Sequence, residues 1–325
     1  MLAAWYERNG SAAEVLVVGE MPLPEPGPGE VRVRLAWSGV NPSDVKSRAR
    51  RPLIAPRIVP HSDGSGTIDA VGPGVSASRI GERVWTWNAQ WQRPMGTAAE
   101  AVVLPSAQAV ALPPQVSLQV GACLGIPGLT AVQAVRLAQP LPGQTFLVTG
   151  AGNAVGHLVV QLVRRCGARV IGTAGSATRH ELARSSGADQ VLDYRDPDLA
   201  RQIRDLTGGQ GADGVIDMDF ASTAPLLPSG VLRPHGRVVC YGSNVPGELP
   251  VDFRTLLFQS LCLQFFVVYE LTPADRQACI AELSACLESG ALQFSPGARF
   301  PLASVADAHL CVEQGRSTGT VLLAL

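Results

Sequence analysis

A short apolar run, QTFLVTG (144–150), opens onto a turn carrying Gly150, Gly152 and Gly156, and a helical pattern starts immediately after it. Backbone N–H groups left free at a helix start, with the helix dipole behind them, attract an anion, and a pyrophosphate is the natural occupant. The spacing Gly150-x-Gly152-x-x-x-Gly156 is one residue longer than the usual dinucleotide fingerprint, so its context carries the assignment: strand before, helix after, and a second strand, ARVIGT (168–173), about a dozen residues on. The segment that follows reads Ala174-Gly175-Ser176, with no carboxylate before Glu181 to receive a ribose 2′-hydroxyl. Ser176 and Arg179 supply instead a hydroxyl and a guanidinium, which suit a 2′-phosphate dianion and favour NADPH over NADH.

Other residues able to do chemistry are sparse. In GVNPSD (39–44), the Asn41 amide is placed to donate to a developing oxyanion, with Asp44 fixing the loop or a water; Asn41 before Pro42 equally suits a plain turn. His61 lies in a segment expected to border a cleft, whereas His157, His180, His235 and His309 read as surface or helix positions and form no HExxH pair. WTWNAQWQRP (85–94) holds three of the five tryptophans: Trp85 reads as core, and Trp87 and Trp91 as a wall for a planar substrate. Arg48, Arg50 and Arg51 read as a solvated loop, with an anionic substrate tail as the functional alternative. Lys46 is the only lysine among 26 basic residues, which removes a lysine acid or Schiff base almost everywhere.

The elements that must hold these residues fall into two grammars. Up to about residue 124 the chain alternates apolar and polar residues between glycine and proline clusters, as in EVLVVGE, EVRVRLAWSGV and GTIDAVGPGV. From about 125 it repeats strand, turn, helix: Val155, Val159, Leu162 and Cys166 share one helix face, a helix over 177–186 precedes strand QVLDY (190–194), and Asp196-Pro197 opens a third helix. GVIDM and RVVCYG complete five parallel strands joined by helical crossovers. From 263 the β-rich pattern returns. The expected architecture is α/β: a Rossmann doubly wound sheet (125–262) inserted in a β-rich domain built from 1–124 and 263–325.

Composition narrows the partners. With 26 basic and 27 acidic residues and 16% charged residues, the chain carries no electrostatic footprint for nucleic acid or anionic membrane. The charged start MLAAWYERNG and the absence of long uncharged apolar runs point to a soluble, cytoplasmic protein. Seven scattered cysteines, none in a CxxC pair, read as small buried hydrophobes.

Taken together, GVNPSD, DGSGTIDAVGPGV (63–75), GERVW (81–85), GLTAVQAV (128–135), TGAGNAVGHLVVQL (149–162), ARVIGTAGS (168–176), GADQVLDY (187–194) and RVVCYGS (237–243) resemble, in order and spacing, the zinc-free medium-chain dehydrogenases/reductases of the quinone oxidoreductase (zeta-crystallin-like) family. The resemblance implies a GroES-like substrate domain, NADPH-dependent reduction of quinones or other conjugated carbonyl compounds, and a homodimer paired through the apolar edge strand within 261–269. It implies that Thr130 lies by the nicotinamide, and that Gly150, Ala151, Asn153, Ala154, Val155 and Gly156 hold the pyrophosphate. Gly175, Ser176, Arg179 and Tyr194 would surround the 2′-phosphate, Tyr241, Gly242 and Ser243 line the cofactor cleft, and Phe266 and Val267 back the nicotinamide. Asn41, His61, Trp87 and Trp91 would meet substrate. The family often has Gly-Gly where this chain has Asn153-Ala154; asparagine's tolerance of positive φ would let the turn survive. Zinc-dependent relatives carry ligands at positions that here read Asn41, Ser62-Asp63 and Ile126, a set unable to hold the metal. Enoyl-thioester reduction stays open as an alternative, lowered by the lack of a tyrosine after Asp44, as does an NADPH-binding protein without turnover.

Overall fold

The computed structural model describes residues 1–245 and 247–325. The chain divides into two compact units, one made of Met1–Pro127, Leu287–Ser289 and Phe294–Leu325, the other of Gly128–Cys286 and Gly290–Gln293.

In the first unit, β1 (Leu2–Trp5) and, after the short helix α1 (Ala12–Val15), β2 (Val17–Glu20) form an antiparallel ribbon. The long strand β3 (Glu30–Val40) leads through helix α2 (Pro42–Arg50) to β4 (Asp63–Val71), β5 (Arg83–Thr86), β6 (Ala101–Pro105), β7 (Ala109–Ala111) and helix α3 (Leu118–Gly121). β3 shows why period-two patterning works: Val31, Val33 and Leu35 are buried, while Arg32 and Arg34 on the other face reach Asp69 of β4. Val31, Val33, Ile68, Val84, Val102 and Leu104 form one core.

The second unit runs α4 (Leu129–Ala138), β8 (Thr145–Val148), α5 (Gly156–Arg165), β9 (Arg169–Ala174), α6 (Ala177–Ser185), β10 (Gln190–Asp193), α7 (Leu199–Leu206), β11 (Ala212–Asp217), α8 (Phe220–Thr223), β12 (Leu232–Cys240), α9 (Phe253–Phe258), β13 (Cys262–Phe265) and α10 (Pro273–Glu288). Its six strands are all parallel, in the order β10-β9-β8-β11-β12-β13. This is the doubly wound order, with the topological switch between β8 and β11. Leu158, Val159, Leu162 and Val163 form the buried face of α5, while Val155 and Cys166 fall at its caps. The chain then returns to the first unit through β14 (Pro296–Pro301), α11 (Val305–Glu313) and β15 (Thr320–Ala324), β15 pairing antiparallel with β3.

Three expectations change. The parallel sheet has six strands, not five, because Cys262–Phe265 pairs with β12, so the second unit ends near residue 293 rather than 262. A break at 263 mistook a buried-sheet edge for the returning β-rich pattern, since a short apolar run has the same composition in both. Asp196 does not cap α7: Asp198 stands at that position, and Asp196 accepts the Asp198 N–H at 2.8 Å and the Gln202 amide at 2.7 Å. Arg48 and Arg50 lie not in a loop but in α2, where Arg48 is buried and paired with Glu313. Among the described residues, no helix is long and apolar enough to cross a membrane. Five cysteines are buried; Cys166 is partly covered and Cys262 is exposed on β13.

Candidate active site

The glycine turn is built tightly onto its neighbours. Gly150 sits at φ +62°, and a Cβ there would overlap Met218 Sδ; one at Gly152 would overlap the Arg179 carbonyl, and one at Gly156 the Gly150 carbonyl. Ala151 donates to the Thr173 carbonyl at 2.8 Å and Gly150 to Thr173 Oγ1 at 3.2 Å, which ties the turn to the end of β9. Among the described residues the N–H groups of Ala154, Val155 and Gly156 find no acceptor. They stand at the start of a ten-residue helix, where unpaired donors and the dipole act together on an anion. Asn153 does not use its tolerance of positive φ; its φ is not positive, and its amide donates instead to Met218 Sδ at 2.9 Å.

At the end of β9 a cavity of about 470 Å³ is lined by Gly175, Ser176, Ala177, His180, Glu181, Arg184, Asp193 and Arg195. Ser176 caps α6, accepting the Arg179 N–H at 3.4 Å. The Tyr194 ring lies against Gly175, where a side chain would overlap it. Arg195 donates to the Gly175 carbonyl at 2.7 Å and to both Asp193 oxygens, holding that carboxyl down at about 2. Gly175 and Ser176 therefore line the cavity, with Tyr194 packed on Gly175. Arg179 is not among the residues lining the cavity, and its backbone packs on Gly152. Arg184 and Arg195 are the arginines on the cavity wall. Ser176, His180 and Arg184 recur at four-residue spacing on one helix face, a signal the sequence carried.

At the switch point, Thr149 Oγ1 and Thr223 Oγ1 each donate to Asp217 Oδ1 at 2.8 Å, and the Asp219 N–H adds a third bond at 3.0 Å. Burial raises the Asp217 carboxyl above its ordinary range. Asp219 in turn accepts from Ser243 Oγ at 3.4 Å and the Asn244 N–H at 2.8 Å, and Gly242 accepts the Phe220 N–H at 3.2 Å. Tyr241 and Phe266 stand with ring centroids 6.3 Å apart, Phe266 donating its N–H to the Cys240 carbonyl at 3.1 Å. Burial first, then Asp217, pushes the Tyr241 phenol upward, so it stays neutral. Val267 is exposed, and Thr130 is buried on α4. Asp217 and Asp219 were not legible, because one aspartate in VIDMDF looks like any other.

The first unit gathers a second polar cluster around Asn41. The Asn41 N–H donates to Asp44 Oδ2 at 2.8 Å, half of a capping box that starts α2. Its amide nitrogen donates to Asp63 Oδ2 at 2.9 Å, and the Ile126 N–H reaches both Asp63 oxygens at 2.9 Å. The three positions at which zinc-dependent relatives carry ligands are thus joined here by hydrogen bonds. Among the described residues no three His, Cys, Asp or Glu side chains gather as a metal site. Asp44 and Asp63 are both buried; desolvation raises Asp44 to about 7 against the pull of its bonds to Asn41, and lifts Asp63 well above the usual carboxylate range.

His61 is not at a substrate surface. It is fully buried with φ 76°, its Nδ1 2.9 Å from Ser38 Oγ and its Nε2 2.9 Å from His309 Nε2. His309, expected on a surface, is equally buried on α11, and His157 is buried on α5. Trp85 is core as expected. Trp91 lines a cavity of about 200 Å³ with Tyr6, Arg51, Leu53, Ile54 and Ile58, whereas Trp87, half-buried, is not part of its wall. Tyr6, on the same wall, is tied to Ile58 by backbone bonds of 3.0 and 2.9 Å and packs with Ile58 and Val15.

Comparison with known proteins agrees with this architecture. Residues 27–114 match the alcohol dehydrogenase GroES-like domain, and 154–285 match the zinc-binding dehydrogenase family. The chain is 30% identical to human quinone oxidoreductase over 312 residues, covering 94% of this chain and 92% of that one. It is 30% identical to a 2-haloacrylate reductase of Burkholderia sp over 336 residues, 99% and 98% of the two chains. A mycobacterial protein solved in complex with NADPH superposes over 100% of both chains with TM-score 0.90 at 31% identity. A parallel sheet in the doubly wound order, a GroES-like unit built from both chain ends and relatives matched nearly end to end lead to one assignment: the chain belongs to the quinone oxidoreductase family of the medium-chain dehydrogenases/reductases.

Proposed function

We propose that the protein is an NADPH-dependent reductase of quinones and other conjugated carbonyl compounds. The observation that carries the reading is the Asn41 cluster: a neutral amide fixed between two buried carboxyl groups, where a Lewis-acid ligand set would otherwise stand. The NADPH-bound neighbour and the missing acid after β9 support the cofactor, and the 2-haloacrylate relative extends the acceptor class to conjugated acids.

The residues present fit the cofactor. The Ala154–Gly156 N–H groups would hold the pyrophosphate, Ser176, Arg184 and Arg195 the 2′-phosphate, and Tyr241 and Phe266 the nicotinamide. When bound, NADPH supplies the hydride. Asn41 holds its side-chain amide against Asp63, and an acceptor seated beside it would take an N–H from that amide as negative charge collects on the acceptor oxygen. A conjugated acceptor spreads that charge, so a neutral donor suffices. Asp44, raised to about 7, then releases the proton that balances the product, and bulk water restores it.

Steady-state NADPH and NADH oxidation against quinones, enones, enoyl thioesters and saturated ketones tests this. Quinones and enones should turn over with NADPH preferred, and Asn41→Ala should lower kcat by about 100-fold. The wild type should lose kcat above about pH 7, and Asp44→Asn should remove that fall. Tight NADPH binding with no acceptor reduced, or equal rates on saturated ketones, would overturn the reading.

A further inference from the structure

The 200 Å³ cavity of the first unit is apolar on most sides, with Leu53, Ile54, Ile58 and Trp91 among its lining residues, and has room for about six or seven waters. One charge faces it. The Arg51 guanidinium lies 4.5 Å from the Trp91 ring centroid, and among the described residues it forms no ion pair, whereas nearby Arg48 and Arg57 are paired with Glu313 and Glu7. Stacking uses the face of a guanidinium and leaves its edge, which carries the N–H donors, for a planar anion.

Arg51 is also held in place. Its N–H donates to the Ser47 carbonyl at 3.0 Å, and the Asn9 amide donates to the Arg48 and Arg51 carbonyls at 2.9 and 3.0 Å, closing the end of α2. The buried Tyr6 hydroxyl, held neutral by a pKa near 12, adds an uncharged donor to the wall. The charge of Arg51 acts on Asp44 as well as on Tyr6, so cavity and Asn41 cluster share one field. α2 joins them directly, Asn41 at its start and Arg51 at its end, about 15 Å apart along the axis.

We propose that this cavity is a carboxylate subsite: Arg51, stacked on Trp91, binds the acid group of a conjugated acceptor and selects acidic quinones or enones over neutral ones. The proposal rests on the reductase reading above and names the substrate class within it.

The test compares a benzoquinone bearing a propionate side chain with its methyl ester, in wild type, Arg51→Gln, Arg51→Lys and Arg50→Gln. Wild type should prefer the acid in kcat/KM by about tenfold or more, mainly through KM, as a charge-assisted bond provides. Arg51→Gln should bring the acid-to-ester ratio toward one, Arg51→Lys should restore part of it, and Arg50→Gln should keep it. Equal KM for acid and ester in the wild type, or the same ratio in Arg51→Gln, would overturn the subsite and leave the reductase standing. If no acceptor turns over, the reductase reading falls. The subsite is then decided by titrating 3-phenylpropanoate calorimetrically: binding lost in Arg51→Gln supports it, and absent or unchanged binding refutes it.

Discussion

Asp63 has no solvent exposure and its carboxyl accepts from two donors within the first unit, so removing it would strand the Ile126 N–H and the Asn41 amide at once. The His61 to His309 pair shows the same economy. One proton arrangement satisfies the chain: His309 donates to His61, His61 to Ser38, Ser38 to Thr97, and Thr97 to the Asp63 carbonyl at 2.6 Å. A further proton has no acceptor there, and burial above all, then the charges of His61 and Arg48, keeps it off His309. Burial accordingly lowers His61 to about 3. Because the folded value lies below the unfolded 6.5, the stability is complete above pH 6.5 and is lost progressively as pH falls toward 3. Between pH 6.5 and 5 the loss should approach about 2 kcal/mol for this group. Urea midpoints at pH 7 and 5 measure it: the wild type should fall further than His61→Asn/His309→Asn, and equal falls would show that the pair is not the sensor. None of this was legible in the sequence, where five scattered histidines carry no spacing signal and only folding brings residues 61 and 309 together.

Elements were far more legible than residues, because period and punctuation report them directly. α5, α6 and the strands around the glycine turn fall where apolar spacing and glycine stops put them. α2 was missed: nine residues with few apolar positions show little apolar periodicity, and its helix is set by Pro42 at the first turn and the Asp44 capping bond. The glycine turn behaves as one element with α6, since Gly152 admits the Arg179 carbonyl. Gly152→Ala should therefore push α6 from its place and weaken NADPH binding by about tenfold or more, read by fluorescence titration. Gly143, at φ +83° with open space around it, is the control: Gly143→Ala should cost about 1 kcal/mol of stability and leave NADPH affinity intact. Equal losses of affinity in both would mean the effect is general destabilisation.

For the whole molecule, the unclosed feature is the edge of the parallel sheet. Among the described residues β13 is paired on one side only, and Phe253, Phe258 and Phe265 on and beside it are 57–73% exposed. An apolar edge of this kind invites pairing with its copy. Sedimentation should give a dimer at micromolar concentration, and Phe258→Glu should shift it toward monomer; a wild-type monomer would refute the pairing. One more consequence concerns handling. Lys46, the sole side-chain amine, sits partly covered on α2, between Asn41 and Arg51. Amine-reactive surfaces and dyes would attach the protein at Lys46, beside the Asn41 cluster, as well as at the Met1 ammonium, so affinity measurements are better anchored through a cysteine or a tag.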